Sequence, residues 1–275
     1  MVPRIQIAGL VYHEVTADPS DSGFQRPSAL PYKHTPQFFV RNLDAIALSS
    51  FAPCLVNDID FDQAGTHLLL TFDDGGKSAQ SICDELIRRG WKGHFFITTG
   101  LIGRRTFLDA GGIRYLKMCG HSVGSHSHTH PDIFSHQPFE TMVREWRTSC
   151  DILAQLLGEP CTLASVPGGH ISPAVLESAD AAGIRHLFTS EPWLVPRKIG
   201  NCRVLGRVCI KNSTPLGHVR GYAQLRGWQA ALLKRRLKEA TKTFLFPLYR
   251  AYIERRRIFD QSDRLPDAAR NGSSH

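Results

Sequence analysis

Two short stretches of this chain gather side chains that can bind metal or move protons. The first is Thr71-Phe72-Asp73-Asp74-Gly75-Gly76, at the end of the apolar run from His67 to Phe72. Adjacent carboxylates at a strand end repel each other unless a cation or a proton relieves them. One solution is a metal bound by one Asp and a catalytic proton handled by the other, with the glycines letting backbone and substrate approach closely. The other reading is an Asp-Gly turn with solvated carboxylates. The second stretch is Gly124-Ser125-His126-Ser127-His128-Thr129-His130-Pro131, again directly after a strand candidate. His126 and His130 stand four apart, so one helical turn would put both imidazoles on one side and point His128 elsewhere. Alone, such a tract reads equally well as a polar loop. Taken with the Asp pair at another strand end, it points to two His and one carboxylate around a metal. That set leaves a coordination position open, as a catalytic rather than a structural zinc site does.

The elements that must position these residues alternate. Apolar clusters rich in β-branched and aromatic residues predict strands at Ile5–Glu14, His67–Phe72, Gly93–Thr98, Ser122–Ser125, Thr162–Val166, His186–Thr189 and Val204–Ile210. Three-and-four spacing predicts helices at Pro36–Leu48, Lys77–Arg89, Arg114–Cys119, Phe139–Leu157 and Pro173–Ala182. Gly90, Gly120, Gly158 and Gly183 follow such stretches, where a left-handed residue ends a helix. The alternation is that of an α/β chain with a parallel sheet. About seven strand–helix units in one domain predict a closed or nearly closed (β/α) barrel, with the active residues on loops after the strands. Residues 16–35, rich in Ser, Asp, Pro and Gly, read as a long loop or lid.

Composition sets the class. The 275 residues are 42% hydrophobic and 21% charged, an ordinary globular balance that excludes collagen, coiled coil and disorder. The longest apolar runs fall far short of the roughly 18 residues that span a bilayer. Met1-Val2-Pro3-Arg4-Ile5-Gln6 meets His13 and Glu14 before a signal-peptide core could develop, so a cytoplasmic location is expected. Seven cysteines without a CxxC pair read as reduced thiols. The net charge of +8 is local: Arg220 to Arg257 alone carries +9, leaving −1 for the rest. The expected organisation is therefore a domain over 1–221, a basic helical segment over 222–261 and a disordered tail over 262–275. The basic segment, with Trp228, Phe244, Phe246, Tyr249 and Tyr252, suits an anionic membrane surface at the inner face or a helix packed on the barrel. Its neutral companion offers no groove for nucleic acid, and oligomeric state is not legible.

At this point the chain resembles the polysaccharide deacetylases with the NodB homology domain, carbohydrate esterase family 4. Thr71-Phe72-Asp73-Asp74-Gly75 looks like the family's first motif and His126-Ser127-His128-Thr129-His130-Pro131 matches its second. The similarity extends to Tyr12-His13, Gly93–Thr99, Gly120–Ser125 and Ser165-Val166-Pro167-Gly168-Gly169, covering roughly residues 5 to 220. The resemblance implies an irregular (β/α) barrel, Asp73 as general base, and Asp74, His126 and His130 as ligands of a divalent metal, usually Zn2+. It implies removal of an N-acetyl group from an amino sugar of a saccharide or exopolysaccharide precursor, the Ser-Val-Pro-Gly-Gly form being similar to a branch tied to exopolysaccharide gene clusters. A lipid-linked saccharide is the expected substrate, with Pro167, Gly168 and Gly169 near it and Trp193 offering a stacking face. Two positions depart from the pattern. Ser165 stands where the third motif usually has an Arg that orients the catalytic Asp, leaving Lys77 and Arg207 as candidate cations. Val208-Cys209-Ile210-Lys211-Asn212 lacks the usual last-motif His, for which His218, His170, His13 and His121 are candidates. Competing functions are hydrolysis of a non-sugar C–N bond and a catalytically weak or silent carbohydrate-binding relative.

Overall fold

The computed structural model describes residues 5–244, with side chains to Leu237. The tail expected at 262–275, and the basic segment beyond residue 244, lie outside the described residues. The elements are β1 (Gln6–Tyr12), β2 (Glu14–Val15), β3 (Lys33–His34), α1 (Pro36–Ala47), β4 (Thr66–Phe72), α2 (Ala79–Arg88), β5 (His94–Ile97) and α3 (Ala110–Met118). There follow β6 (Ser122–Ser125), α4 (Phe139–Leu157), β7 (Leu163–Ser165), α5 (Pro173–Ala181), β8 (His186–Phe188), β9 (Arg197–Ile199), β10 (Cys202–Leu205), β11 (Arg207–Cys209), α6 (Leu216–Ala223) and α7 (Trp228–Phe244). The chain divides into one compact unit ending at Leu232 and a second beginning at Leu233. No helix among the described residues is long and apolar enough to cross a membrane.

Nine strands form one sheet in the order β11-β1-β4-β5-β6-β7-β8-β10-β9, parallel except for the β10–β9 pair. The strand expected as one run over Val204–Ile210 is broken into β10 and β11 at Gly206. These two lie at opposite sides of the ladder: β10 pairs with β8, and β11 pairs with β1. Because only Gly206 separates them, the sheet must curl on itself, and the chain rather than a hydrogen-bonded ladder joins its two sides. The ladder is thus an unclosed barrel, with nine strands instead of the expected seven or so. Gly206 is required at the junction, because a Cβ there would stand 2.2 Å from the Trp193 carbonyl oxygen. The Leu194 carbonyl reaches the Ile7 N–H at 2.7 Å, so residues 191–194 help fill the open seam.

Strand periodicity sorts the side chains into layers. Leu68, Leu70 and Phe72 of β4 face outward into the core beneath α1, α2 and α3, with Leu43, Ile46, Ile82, Leu86 and Ile113. Trp146 of α4 and Val175 of α5 pack with Ala164, Leu187 and Val204 on the other flank. Leu69 faces inward and meets Ile7, Phe96, Leu163, Phe188 and Leu205, an apolar layer drawn from six strands. Two and four residues beyond Leu69 on the same face come Thr71 and Asp73, so the interior turns polar toward the C-terminal strand ends. Helix ends are fixed locally: Thr35, Asp109 and Ser172 cap α1, α3 and α5 through their side chains.

Candidate metal and catalytic site

The polar end of the barrel is organised by Arg207, which is fully buried. Its Nη1 donates to Asp73 Oδ1 at 2.8 Å and to Thr71 Oγ1 at 2.9 Å. Its Nη2 donates to Asp73 Oδ2 at 2.9 Å and to Ser165 Oγ at 2.7 Å, while Nε donates to the Thr189 carbonyl at 2.9 Å. All five guanidinium N–H groups therefore have acceptors, the condition under which a buried cation is tolerated. Ser165 Oγ also donates to Asp73 Oδ2 at 2.9 Å, closing a triangle of Arg, Ser and Asp. Burial acts to raise the Asp73 pKa, but the Arg207 charge and its hydrogen bonds outweigh it and hold the carboxyl below its ordinary range. Of the two candidate cations, the structure thus brings Arg207 to Asp73 and leaves Lys77 exposed.

Asp74 faces a different set. Its Oδ1 lies 3.4 Å from His126 Nε2 and 3.7 Å from His130 Nε2, and one ligand atom from each residue falls within 4.8 Å of the others. All three residues are buried. His126 Nδ1 sits 3.0 Å from the Ser165 carbonyl oxygen, which can only accept, so Nδ1 carries a proton there and Nε2 is the ring nitrogen turned toward Asp74. Tetrahedral bonds of about 2.1 Å have ligand–ligand edges of about 3.4 Å, so the spacing and donor chemistry fit a divalent metal such as zinc.

The backbone that delivers these ligands is irregular. The helical turn expected from the four-residue spacing is not formed: Ser127 and His130 adopt left-handed φ values of 63° and 53°. Side chains rather than helix carbonyls take the loop's N–H groups. Ser125 Oγ accepts from Ser127, Ser127 Oγ from His130, and Glu145 Oε2 from both His128 and Thr129. His128 points away, as expected, its Nδ1 3.0 Å from Thr99 Oγ1. Asp74 is also left-handed at φ 77°, with its carbonyl accepting from the Thr98 N–H.

Residues 16–35 do lie over the site. The Phe24 ring stands 4.7 Å from that of His130 and 5.2 Å from that of Phe107, and Arg26 packs over Phe24 while pairing with Asp132 at 3.1 Å. A buried knot anchors the segment: Glu14 Oε2 accepts from Ser22 Oγ and, at 2.6 Å, from Ser78 Oγ. Glu14 also explains Gly76, where a Cβ would lie 2.2 Å from its carboxylate. Burial drives the Glu14 pKa up to about 7 against those hydrogen bonds.

Among the other candidates, the His13 ring lies tilted against Tyr32, their centroids 4.8 Å apart, with its buried Nδ1 unpartnered. Burial lowers its pKa while the Asp74 and Asp73 charges pull the other way, so it shares their field. His218 is exposed on α6 and His121 sits before β6, bonded to the Gly93 N–H, at the opposite strand end. Pro167-Gly168-Gly169 forms a tight turn with both glycines left-handed, a Cβ on Gly168 standing 3.6 Å from the Asp132 carbonyl and so near the His130 loop. Trp193 lies against Gly206 at the seam, with the Arg197 guanidinium 3.8 Å over its ring. Glu14 and Thr189 escaped notice as functional residues, and Ser165 stood out only as the place of an absent Arg, although alternation from Leu69 through Thr71 to Asp73 marks an inward polar layer that needs partners.

A sequence model described as polysaccharide deacetylase matches residues 62–187. No curated protein matches the chain. Among solved structures, IcaB from Ammonifex degensii superposes with a TM-score of 0.65 at 21% identity, covering 80% of this chain and 97% of that one. The Streptococcus pyogenes deacetylase PplD, in complex with acetate, gives 0.64 at 17% identity, covering 78% and 97%. A de-N-acetylase from Aggregatibacter actinomycetemcomitans gives 0.63 at 14% identity, covering 79% and 99%. At these identities the likeness is one of fold.

Proposed function

We propose that this chain, whose residues 62–187 match a sequence model described as polysaccharide deacetylase, is a metal-dependent hydrolase removing the N-acetyl group from an amino sugar. The observation that carries this reading is the convergence of Asp74, His126 and His130 beside an Arg-paired Asp73 at one end of the barrel. Asp74, His126 and His130 hold a divalent metal, zinc by the donor set, which when bound supplies Lewis acidity toward the acetamide carbonyl and the attacking water. Asp73, kept ionised by Arg207, accepts the proton that water gives up as it attacks the carbonyl carbon. Ser165 and Arg207 restrict the Asp73 carboxylate to one orientation, so the proton acceptor is in place before substrate arrives. The Pro167-Gly168-Gly169 turn lies on the substrate side, its backbone close to the developing oxyanion. His13, outside the ligand set yet within the field of both aspartates, takes on the proton that Asp73 accepted from water and passes it to the departing amine, in place of the missing last-motif histidine. The C–N bond breaks, acetate and a free sugar amine leave, and Phe24 with Arg26 limits water above His130 during the step.

The finer substrate reading is an exopolysaccharide or lipid-linked saccharide precursor, handled in the cytoplasm. Seven free thiols suit that reducing compartment. Trp193, carrying Arg197 on one face, can offer only its other face to a sugar. Acetate, which the Streptococcus pyogenes deacetylase holds in its structure, is the product this chemistry requires. Incubating the metal-loaded protein with N-acetylglucosamine oligomers and with small amides tests the reading. Acetate with a new sugar amine is expected, whereas ammonia from the amides without acetate would reassign the enzyme to another C–N bond.

A further inference from the structure

We propose that α7 is a docking face for an anionic lipid bilayer, engaging it through Leu233, Leu237 and the basic residues beside them. The helix runs 17 residues, Trp228 to Phe244, about 25 Å. Its first turn belongs to the core: Trp228 is buried, its indole N–H donates to the Tyr222 carbonyl at 3.0 Å, and Ala231 packs against the same cluster. One turn later the pattern inverts, and Leu233 and Leu237 are 61% and 60% exposed. Standing four apart, they share one side of the helix. In the sequence, Ala230 precedes them by three residues and Ala240 and Phe244 follow at three and four, so the apolar spacing runs the length of the element. Two exposed leucines four apart, flanked by basic residues, make this side of the helix amphipathic.

The charges decide what covers that stripe. Lys234 and Arg236 are exposed beside it, Lys238 and Lys242 follow in sequence, and Glu239 is the only acidic residue of the helix. A second copy of α7 would bring these like charges face to face, the opposite of the paired charges that flank a helix dimer seam. Nucleic acid would use the lysines but gain nothing from exposed leucines, and the remainder of the chain, at −1, offers it no continuing basic groove. An anionic bilayer takes both: leucines enter the interface, and long Lys and Arg stems let their charges stay among the headgroups. Each engaged charge strengthens binding about fivefold near such a surface.

Flotation of the full-length chain with vesicles of phosphatidylcholine mixed with phosphatidylglycerol, and with phosphatidylcholine alone, tests this without reference to any enzymatic activity. Binding should be confined to the anionic vesicles and released by salt. Replacing Lys234, Arg236 and Lys238 with Gln should weaken it about a hundredfold, and Leu233→Gln with Leu237→Gln should weaken it while leaving the salt dependence. Circular dichroism of the variants should match the parent. Equal binding to neutral vesicles, or an unchanged triple variant, would overturn the proposal. So would dimerisation that the leucine variants abolish, which gives the face to a second copy, or duplex DNA binding that they leave intact.

Discussion

Arg207 grips Asp73 with both terminal nitrogens, at 2.8 and 2.9 Å, although the two residues are 134 positions apart in the chain, at the strands that flank β1. The pair exists because Gly206 sends the chain from one side of the ladder to the other, so β11 lies beside β1 and Arg207 enters the barrel between Thr71 and Thr189. An Arg on the last strand thus holds the carboxylate, and the small hydroxyl of Ser165 bridges the two, donating to Asp73 and accepting from Arg207.

Removing Arg207 should be costly in a specific way. Arg207→Met leaves Asp73 buried without its countercharge, so urea unfolding at neutral pH should show a loss of about 3–5 kcal/mol. Arg207→Lys keeps a charge but lacks the fork and should recover only part of that stability. In whichever variant folds, the Asp73 pKa rises, so the acidic limb of the kcat/KM profile should move to higher pH. A merely structural Arg would leave that limb in place.

Glu14 gives a pH signature of its own. Its folded pKa of about 7 exceeds its ordinary value of 4.5, so the native state binds the extra proton between those limits. Stability therefore falls as pH rises from about 4.5 to about 7, by roughly 3 kcal/mol at most. Glu14→Gln mimics the protonated form and should flatten that part of the thermal-melting profile. A profile with the same slope in both proteins would exclude Glu14 as its source.

Phe24 covers His130, so its loss should be felt by the metal. Phe24→Ala should release metal to a chromophoric chelator roughly tenfold faster, in the range that supporting residues around a metal site control. Turnover of fully loaded enzyme should change less. Unchanged release would reduce the 16–35 segment to a peripheral loop.

Much of this was legible before any coordinates. Strand and helix positions followed periodicity closely, α4 and β6 matching residue for residue, because parallel strands buried on both faces leave unmistakable apolar runs. The break at Gly206 was not legible, since Val204–Ile210 reads as one apolar strand and only the tertiary seam around Trp193 forces a residue without a side chain. Two His and one carboxylate could be read from residue types, and the choice of Asp74 from the resemblance, but the mode of delivery could not. Four-residue spacing suggests a helix, and only the hydroxyls of Ser125 and Ser127 with the Glu145 carboxylate make an irregular turn competitive. Arg207 was one of two candidate cations, and sequence offers no way to choose between partners separated by most of the chain. The Glu14 knot was invisible for the same reason, Ser22 and Ser78 meeting only through the fold.

The two adjacent aspartates differ in role, and measuring bound metal and acetate release together in Asp73→Asn and Asp74→Asn separates them. Asp73→Asn should keep about one divalent metal per chain, as Asp74, His126 and His130 are intact, and lose acetate release by at least roughly a hundredfold. Asp74→Asn should lose metal and acetate release together, as should His126→Ala with His130→Ala. Metal lost from Asp73→Asn and kept by Asp74→Asn, or acetate release that survives removal of the metal, would contradict the assignment.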